Sequence, residues 1–482
     1  MFYYTGVRAL MAWDQETQMP RKGVEARGAQ SARLAKLAHE RLTDPAVGGW
    51  LQALGEVEAP TPEQEACVRN LGRDYRRATR VSSDLVGDLV RGATQGFESW
   101  IQARKDKSFA TFEPALQNLV DLTKRRCEAI DPHTHPYDVL LEEFVPGTTT
   151  AQLREMFGRL TPGIRELLDK IGEVESMPVY DDAFDTEGQR ALYGEVTRQL
   201  GFDMDAGRID LAEHPFTTSL GPGDTRFTIR VFEKDLLAGL GPTLHEAGHG
   251  LYEQGLPWEK KGTTVGGAAG LGLHESQSRL WENFIGRSRP FLNWFAGRMA
   301  SSFEGRTVDG ERLFRAANRV VPGLTRVEAD EVTYNLHVAI RFELEYALME
   351  GSLSVSELPD AWDQRYQEVL GVTPPDPVQG VLQDVHWSHG MFGYFPSYTM
   401  GNLYAASLGV ALESELGATL WQDVGAGNFE AILGWLRTHI HRHGHLQDSP
   451  VLMKNAVGER DHVEDLLNHL WGRHGALHGV SR

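Results

Sequence analysis

The chain has 482 residues, 41% of them hydrophobic and 24% charged, a balance that gives enough apolar surface for a substantial core and excludes a disordered protein. Its net charge of -19, from 48 basic and 67 acidic residues, speaks against nucleic acid or an anionic membrane as a partner. The two isolated cysteines, Cys67 and Cys127, exclude a disulfide framework or a thiolate metal site and point to a reducing compartment, the cytoplasm.

Residues 1–20 lack the basic stretch, apolar core and small-residue cleavage site of a signal peptide, and no apolar run approaches the length needed to span a bilayer. The first quarter reads as helix. From Gly23 to Arg41, Ala26, Ala29, Ala32, Leu34, Ala35, Leu37 and Ala38 recur at helical spacing among charged residues. Thr61 and Pro62, followed by Glu63 and Glu65, form the cap and first turn of a helix carrying Cys67, Leu71 and Tyr75. Further helices are predicted at Asp84–Lys105, Pro114–Ile130 and Thr150–Ile171, as the walls and lid of whatever the middle of the chain does. His133 and His135 fall in a segment from Asp131 to Pro146 that reads as a proline-flanked surface loop.

The strand signal is at Thr225–Phe232, rich in β-branched and aromatic residues and preceded by the turn Gly221, Pro222, Gly223, Asp224. Directly after it, Thr243 to Gly250 reads T-L-H-E-A-G-H-G. Two histidines four residues apart lie on one helix face, so His245 and His249 can reach one cation while Glu246 leans towards the same site, the pattern of a metallopeptidase. Such a metal needs a third protein ligand and an open fourth position for water. Beyond the glycine-rich connector Gly262–Gly272, a helix opening at His274 to Ser278 offers it: Glu275 is the choice, with His274 and Glu282 as competitors.

Further on, Arg326 to Tyr334 reads R-V-E-A-D-E-V-T-Y, and Gly380 to Tyr398 is dense in His, Trp and Tyr and punctuated by Gly. That composition suits a cleft wall that donates hydrogen bonds to an oxyanion, with His386 and Tyr398 as the donors and Tyr394 a weaker third. Near the end, His439, His441, His443 and His445 alternate, which would allow a second metal site, but the alternation does not suit the helical pattern around it.

These residues together resemble the carboxypeptidase Taq family, also called thermostable carboxypeptidase 1. The likeness runs from W-D-Q-E-T at Trp13 to Thr17 as far as I-H-R-H-G at Ile440 to Gly444. Asp224, Arg226 and Thr228 match the family's D-x-R-x-T; His245, Glu246 and His249 match its metal pattern; His274 to Ser276 match H-E-S; Gly380, Gln383, Asp384, His386 and Trp387 match G-x-x-Q-D-x-H-W. The family's I-R-x-x-A-D departs at its first position, where Thr325 precedes Arg326, Ala329 and Asp330. The chain enters the family pattern almost at once, which raises the expectation of a helix upstream or of a start codon placed too far downstream.

The resemblance implies a mainly α fold, a large helical metallopeptidase similar to neurolysin, with a deep substrate groove and a small β element next to the metal helix. It implies one catalytic domain over residues 1–482, with 1–200 as helical wall and lid and 201–482 as the metal-binding and substrate-recognition part. His245, His249 and Glu275 would bind one zinc per chain, or cobalt in its place. Arg226 and Arg326 would recognise the terminal carboxylate, with Tyr394 beside them, in a homodimer that removes C-terminal residues from peptides with broad specificity. Glu246 would take a proton from the attacking water and deliver it to the leaving amine. The alternative is a metal-dependent oligoendopeptidase of the same fold, and a third reading is a peptide-binding protein with a decayed site, which the intact Glu246 and ligands argue against.

Overall fold

The computed structural model describes residues 2–57, 61–172, 184–303 and 309–482. The expected mainly helical fold is observed, with one small sheet. Apolar periodicity located five of the early helices to within a residue or two, Val24–Leu42, Pro62–Arg80, Ser83–Asp106, Glu113–Ile130 and Thr150–Ile171, and missed Phe2–Thr17 and Pro45–Gly55. Their ends follow from capping. The Ser82 hydroxyl accepts from the Leu85 N–H at 3.3 Å, and Thr149 with Gln152 closes a reciprocal capping box. The segment after Asp131 is not all loop, because Pro136–Phe144 is a helix. There Pro136 takes the first helical position and the imidazole of His135 accepts from the Tyr137 N–H at 3.2 Å, so the ring that stood beside a proline is a cap. No helix of the described residues is long and apolar enough to cross a membrane.

The chain divides into two compact units. The first comprises Met1–Ala78, Ser176–Asn318 and Gly401–His462. Its sheet has three strands, β1 (Gly207–Leu211), β2 (Thr217–Gly221) and β3 (Asp224–Ile229), in the order β1-β3-β2. β3 runs parallel to β1, with Gly207 opposite Thr225 and Leu211 opposite Ile229, and antiparallel to β2, with Thr217 opposite Phe227. The predicted strand stops three residues early because Ile229 faces the last residue of β1, and beyond it the ladder has no partner. β1 and β2 escaped the sequence reading: each has five residues, and the burial of β2 is intermediate throughout, so no alternation marks it.

Against this sheet packs the helix Leu236–Gly255, capped by Asp235, whose carboxylate accepts from the Ala238 N–H at 2.9 Å. Its apolar face, Leu240, Leu244, Ala247 and Leu251, is buried. The next helix, Leu271–Arg279, begins three residues ahead of His274 and continues as a π-helical stretch over Leu280–Ile285. The two helices meet where only glycine fits. A Cβ on Gly248 would stand 2.6 Å from the Gln277 carbonyl oxygen and 2.7 Å from the Ser278 Cα. The connector before it is held: the Ser449 hydroxyl donates to the Ala269 carbonyl at 2.6 Å and the His445 N–H to that of Val265 at 2.9 Å.

The second unit comprises Thr79–Glu175, Arg319–Met400 and Val463–Arg482. At its centre lies the helix Tyr334–Glu350, which buries most of its length, including Asn335, His337, Arg341 and Glu345. A helix so polar and so buried needs partners, and His337 Nδ1, Arg341 and Glu345 find them in Tyr366, Asp384 and Trp387.

Candidate metal centre and a buried arginine cluster

His245 and His249 sit one turn apart on the helix Leu236–Gly255, with ring centroids 4.8 Å apart and planes at 87°. Glu275 comes to them from the helix Leu271–Arg279. Its Oε2 lies 3.6 Å from His245 Nε2 and 3.5 Å from His249 Nε2, and one ligand atom from each of the three residues falls within 4.8 Å of the others. Four ligands around a zinc at about 2.1 Å have edges of about 3.4 Å, so these gaps are those of donors sharing one ion. The donor set, two imidazoles and a carboxylate, is that of an open hydrolytic zinc site. This is the one such group among the described residues.

Each donor is held from behind. The Glu275 Oε1 accepts from Arg279 Nε at 2.7 Å, and the Ser278 hydroxyl donates to the Glu275 carbonyl at 2.6 Å and lies 3.2 Å from Oε2. Gly401 leaves room for its side chain, since a Cβ there would stand 2.3 Å from the Glu275 Cγ. Burial opposes the charge of Glu275, but Arg279 and the two histidines outweigh it and hold the carboxyl well below its usual range. His245 Nδ1 faces Glu282 Oε2 at 2.9 Å, and Arg279 Nη1 donates to that same oxygen at 3.0 Å. His249 Nδ1 faces His274 Nδ1 at 2.6 Å, and His274 Nε2 lies 3.1 Å from Glu253 Oε1. Thus His274 and Glu282, the competitors for the third ligand position, stand behind the two histidines. The π-helical stretch places Glu282 there, seven residues after Glu275.

Glu246 is buried beside the donors. Thr217, on β2, donates its hydroxyl to Glu246 Oε2 at 2.6 Å and also lies 3.0 Å from the Glu246 carbonyl oxygen. Burial pushes this carboxyl above its ordinary value, against the pull of His245 and Thr217. Thr217, Glu253, Arg279 and Glu282 support the centre; Glu282 was already a candidate from the sequence, and two of the others carried a readable signal. Glu253 extends the stripe of His245 and His249 by four residues, and Arg279 follows Glu275 by four. Thr217 had none, because its strand was invisible.

Arg226, on β3, is also in the first unit. Its Nε and Nη2 donate to the two oxygens of Asp224 at 2.8 Å each, and its guanidinium lies 4.3 Å from the ring centre of Trp13. Arg208, opposite it on β1, makes the same kind of pair with Asp210 and packs on Trp13 at 4.9 Å.

The remaining candidates for substrate and oxyanion recognition gather in the second unit. Arg326 is 5% exposed; its Nε and Nη2 donate to Asp384 Oδ1 at 3.1 and 2.8 Å, and its Nη1 to the Tyr334 hydroxyl at 3.0 Å. Arg341, fully buried, donates Nε to Asp384 Oδ2 at 2.6 Å and Nη2 to Gln383 Oε1 at 2.7 Å. Asp384 therefore carries two guanidiniums, which hold its carboxyl far below the usual range despite burial. Tyr398 lies over Arg326, with 4.9 Å between guanidinium and ring centre, and its hydroxyl is 3.3 Å from His386 Nε2. Tyr394 packs on both, at 5.3 Å from each ring. Burial and then the two arginines push His386 down to about 4 against the opposing pull of Asp384, so the ring is neutral at neutral pH. Its Nδ1 is buried without a hydrogen-bond partner.

One carboxylate fixes the turn that carries these residues. Glu345 accepts from the Trp387 indole at 2.7 Å, the Gly393 N–H at 2.9 Å and the Tyr137 hydroxyl at 2.8 Å, and burial pushes its carboxyl up to about 7. The alternating histidines near the end do not converge. His441 is buried against Gln277 at 3.0 Å, His445 pairs with Asp448 at 3.2 Å, and His439 stacks on Trp435.

Comparison with known proteins places the chain. The family model described as carboxypeptidase Taq (M32) metallopeptidase matches residues 1–474. The chain is 41% identical to thermostable carboxypeptidase 1 of Thermus thermophilus, over 99% of this chain and 96% of that protein. It is 34% identical to carboxypeptidase 1 of Bacillus subtilis, again over 99% and 96%. The crystal structure of the M32 carboxypeptidase from Deinococcus radiodurans superposes with a TM-score of 0.95 at 37% identity, covering 99% of this chain and 97% of that one.

Proposed function

Because the chain belongs to the carboxypeptidase Taq (M32) family and is thereby a metallocarboxypeptidase, a hydrolase dependent on a divalent metal, we propose that His245, His249 and Glu275 hold that metal and that Glu246 moves the proton. The observation that carries this reading is the fit of the three donors to one ion beside a buried glutamate. Zinc is the ion the donor set favours, with cobalt able to replace it, one per chain. Held there, it supplies the Lewis acidity that makes water nucleophilic at neutral pH.

The rest is done by side chains. Thr217 engages Glu246 Oε2, which leaves Oε1 to accept the proton of the attacking water and to pass it to the leaving amine. His386, kept neutral by burial, and the Tyr398 hydroxyl are our donors for the tetrahedral oxyanion, with Tyr394 packed behind them. For the terminal carboxylate of the peptide, Arg226 and Arg326 are the candidates, and charge balance favours Arg326. Arg226 is matched one to one by Asp224, whereas Arg326 shares its one ion-pair partner, Asp384, with Arg341. Selection of that carboxylate makes the enzyme an exopeptidase of broad side-chain specificity. We further propose a homodimer, working in the cytoplasm, where the free thiols of Cys67 and Cys127 would stay reduced.

The test compares N-blocked dipeptides with their C-terminal amides, with chelator and zinc add-back, for the wild type and Glu246→Gln. Hydrolysis of the acids alone, abolished by chelator and by the substitution, is the expected result. Equal cleavage of acid and amide would establish the oligoendopeptidase reading instead, and cleavage indifferent to chelator would remove the metal from the mechanism.

A further inference from the structure

The two histidine donors are supported differently, and the difference assigns a role to two more residues. Behind His245 stands a carboxylate, Glu282, at 2.9 Å. Behind His249 stands another imidazole: its Nδ1 lies 2.6 Å from His274 Nδ1, with ring centroids 4.6 Å apart. A carboxylate appears only one step further out, where His274 Nε2 is 3.1 Å from Glu253 Oε1, and Lys261 Nζ lies 3.7 Å from the other Glu253 oxygen. His274 packs against the ring of Tyr252 at 5.1 Å, and the side chains of His249, His274 and Glu253 are at most one-fifth exposed.

With a metal bound at His249 Nε2, the proton positions along this row follow from the donors and acceptors. His249 turns Nε2 towards Glu275, the third donor, so with the metal bound its lone pair would be on Nε2 and its proton on Nδ1. That proton has one acceptor in reach, His274 Nδ1, which must carry the lone pair. The His274 proton is then on Nε2, and it points at Glu253, which can only accept. With both rings neutral, no other assignment satisfies both short contacts.

Resting on the metal-centre reading above, we propose that His274 and Glu253 are positioning residues that lock His249 in the Nδ1–H tautomer, and so set the affinity for the metal through an imidazole placed between ligand and carboxylate. Partners of this kind orient a metal-bound histidine and raise its basicity, and losing one weakens metal binding by about 10- to 100-fold.

The test is the dissociation constant for zinc alone, measured on the full-length chain by competition with a chromogenic chelator, together with thermal melts of the metal-free proteins. His274→Ala should bind zinc about 10- to 100-fold more weakly. His274→Asn keeps an oxygen acceptor near the position of Nδ1 and should recover most of the loss. Glu253→Ala should weaken binding by about tenfold, and Glu253→Gln, which can still accept from His274, should stay near wild type. Wild-type affinity in His274→Ala would overturn the proposal. So would His274→Asn binding no better than His274→Ala when both melt like the wild type. Should His274→Ala fail to fold, the two Glu253 variants decide, and equal affinities for them would also overturn it. A wild-type chain that takes up no stoichiometric zinc is a distinct result, and it would remove the metal centre itself.

Discussion

Each compact unit buries a cluster of charges, and the two clusters lean in opposite directions. In the first unit four carboxylates, Glu246, Glu253, Glu275 and Glu282, face three cations, Lys261, Arg279 and Arg287, around His249, which burial pushes down, and His245, which Glu275 and Glu282 push up against burial. In the second, Arg326 and Arg341 converge on the single carboxylate of Asp384, and the next acid, Glu345, makes its hydrogen bonds with Trp387, Gly393 and Tyr137 and is pushed up to about 7 by burial. Charges are not buried in surplus without a compensating partner. In formal charge the first cluster leans acidic and the ion pairs of the second lean basic, a bias that a metal and a peptide carboxylate would respectively offset.

The contrast breaks most readily at Glu246. Glu246→Gln should lower kcat by about a thousandfold, within the range of a lost general base, while zinc stoichiometry stays at that of the wild type. Because burial already works against its charge, the metal-free protein should melt no lower than the wild type. A loss of stability in place of a loss of rate would show Glu246 to be structural.

Removing a carboxylate from the second cluster should do the reverse. In Asp384→Asn two buried guanidiniums lose their shared counter-ion, and denaturant unfolding should report a loss of about 3–5 kcal/mol. If Asp384→Asn and Glu246→Gln shift stability equally, the opposite signs of the two clusters have no energetic meaning.

His386 supplies a pH dependence to sharpen the point. Its pKa is depressed to about 4 in the folded protein, so the unfolded chain takes up a proton there first as the pH falls below its ordinary value. Its contribution to stability is therefore intact above about 6.5 and is lost down to about 4, by up to about 3 kcal/mol. The difference between unfolding curves of wild type and His386→Gln, measured across that window, should narrow towards acid. A constant difference would mean that His386 is not held neutral by its surroundings.

How much of this was legible varies with the physics of each element. Helices with an apolar stripe declared themselves, and the HExxH spacing put His245 and His249 one turn apart, because helical geometry converts sequence spacing into distance. Arg226 and Arg326 were legible as cations but not as to their partners. That Asp224 neutralises one, while Asp384 is shared by the other with Arg341, depends on folding contacts that no local pattern encodes. The role of Glu345 was hidden for the same reason, since its three donors come from residues 137, 387 and 393.

Thr217 was the least visible residue of all, and it yields the smallest expected effect. It lies on a five-residue strand of even, intermediate burial, yet it is the one side chain donating to Glu246 among the described contacts. The hydroxyl has a single proton, and at 2.6 Å from Oε2 against 3.0 Å from the carbonyl it favours the carboxylate. Thr217→Val keeps the shape and removes the bond, worth about 1.5 kcal/mol to a charged acceptor, so kcat should fall by about tenfold with KM little changed. Thr217→Ser restores the donor and should restore the rate. Recovery by serine separates the hydrogen bond from the packing of the γ-methyl, and a serine variant as slow as the valine one would mean that the strand supports the helix by shape alone.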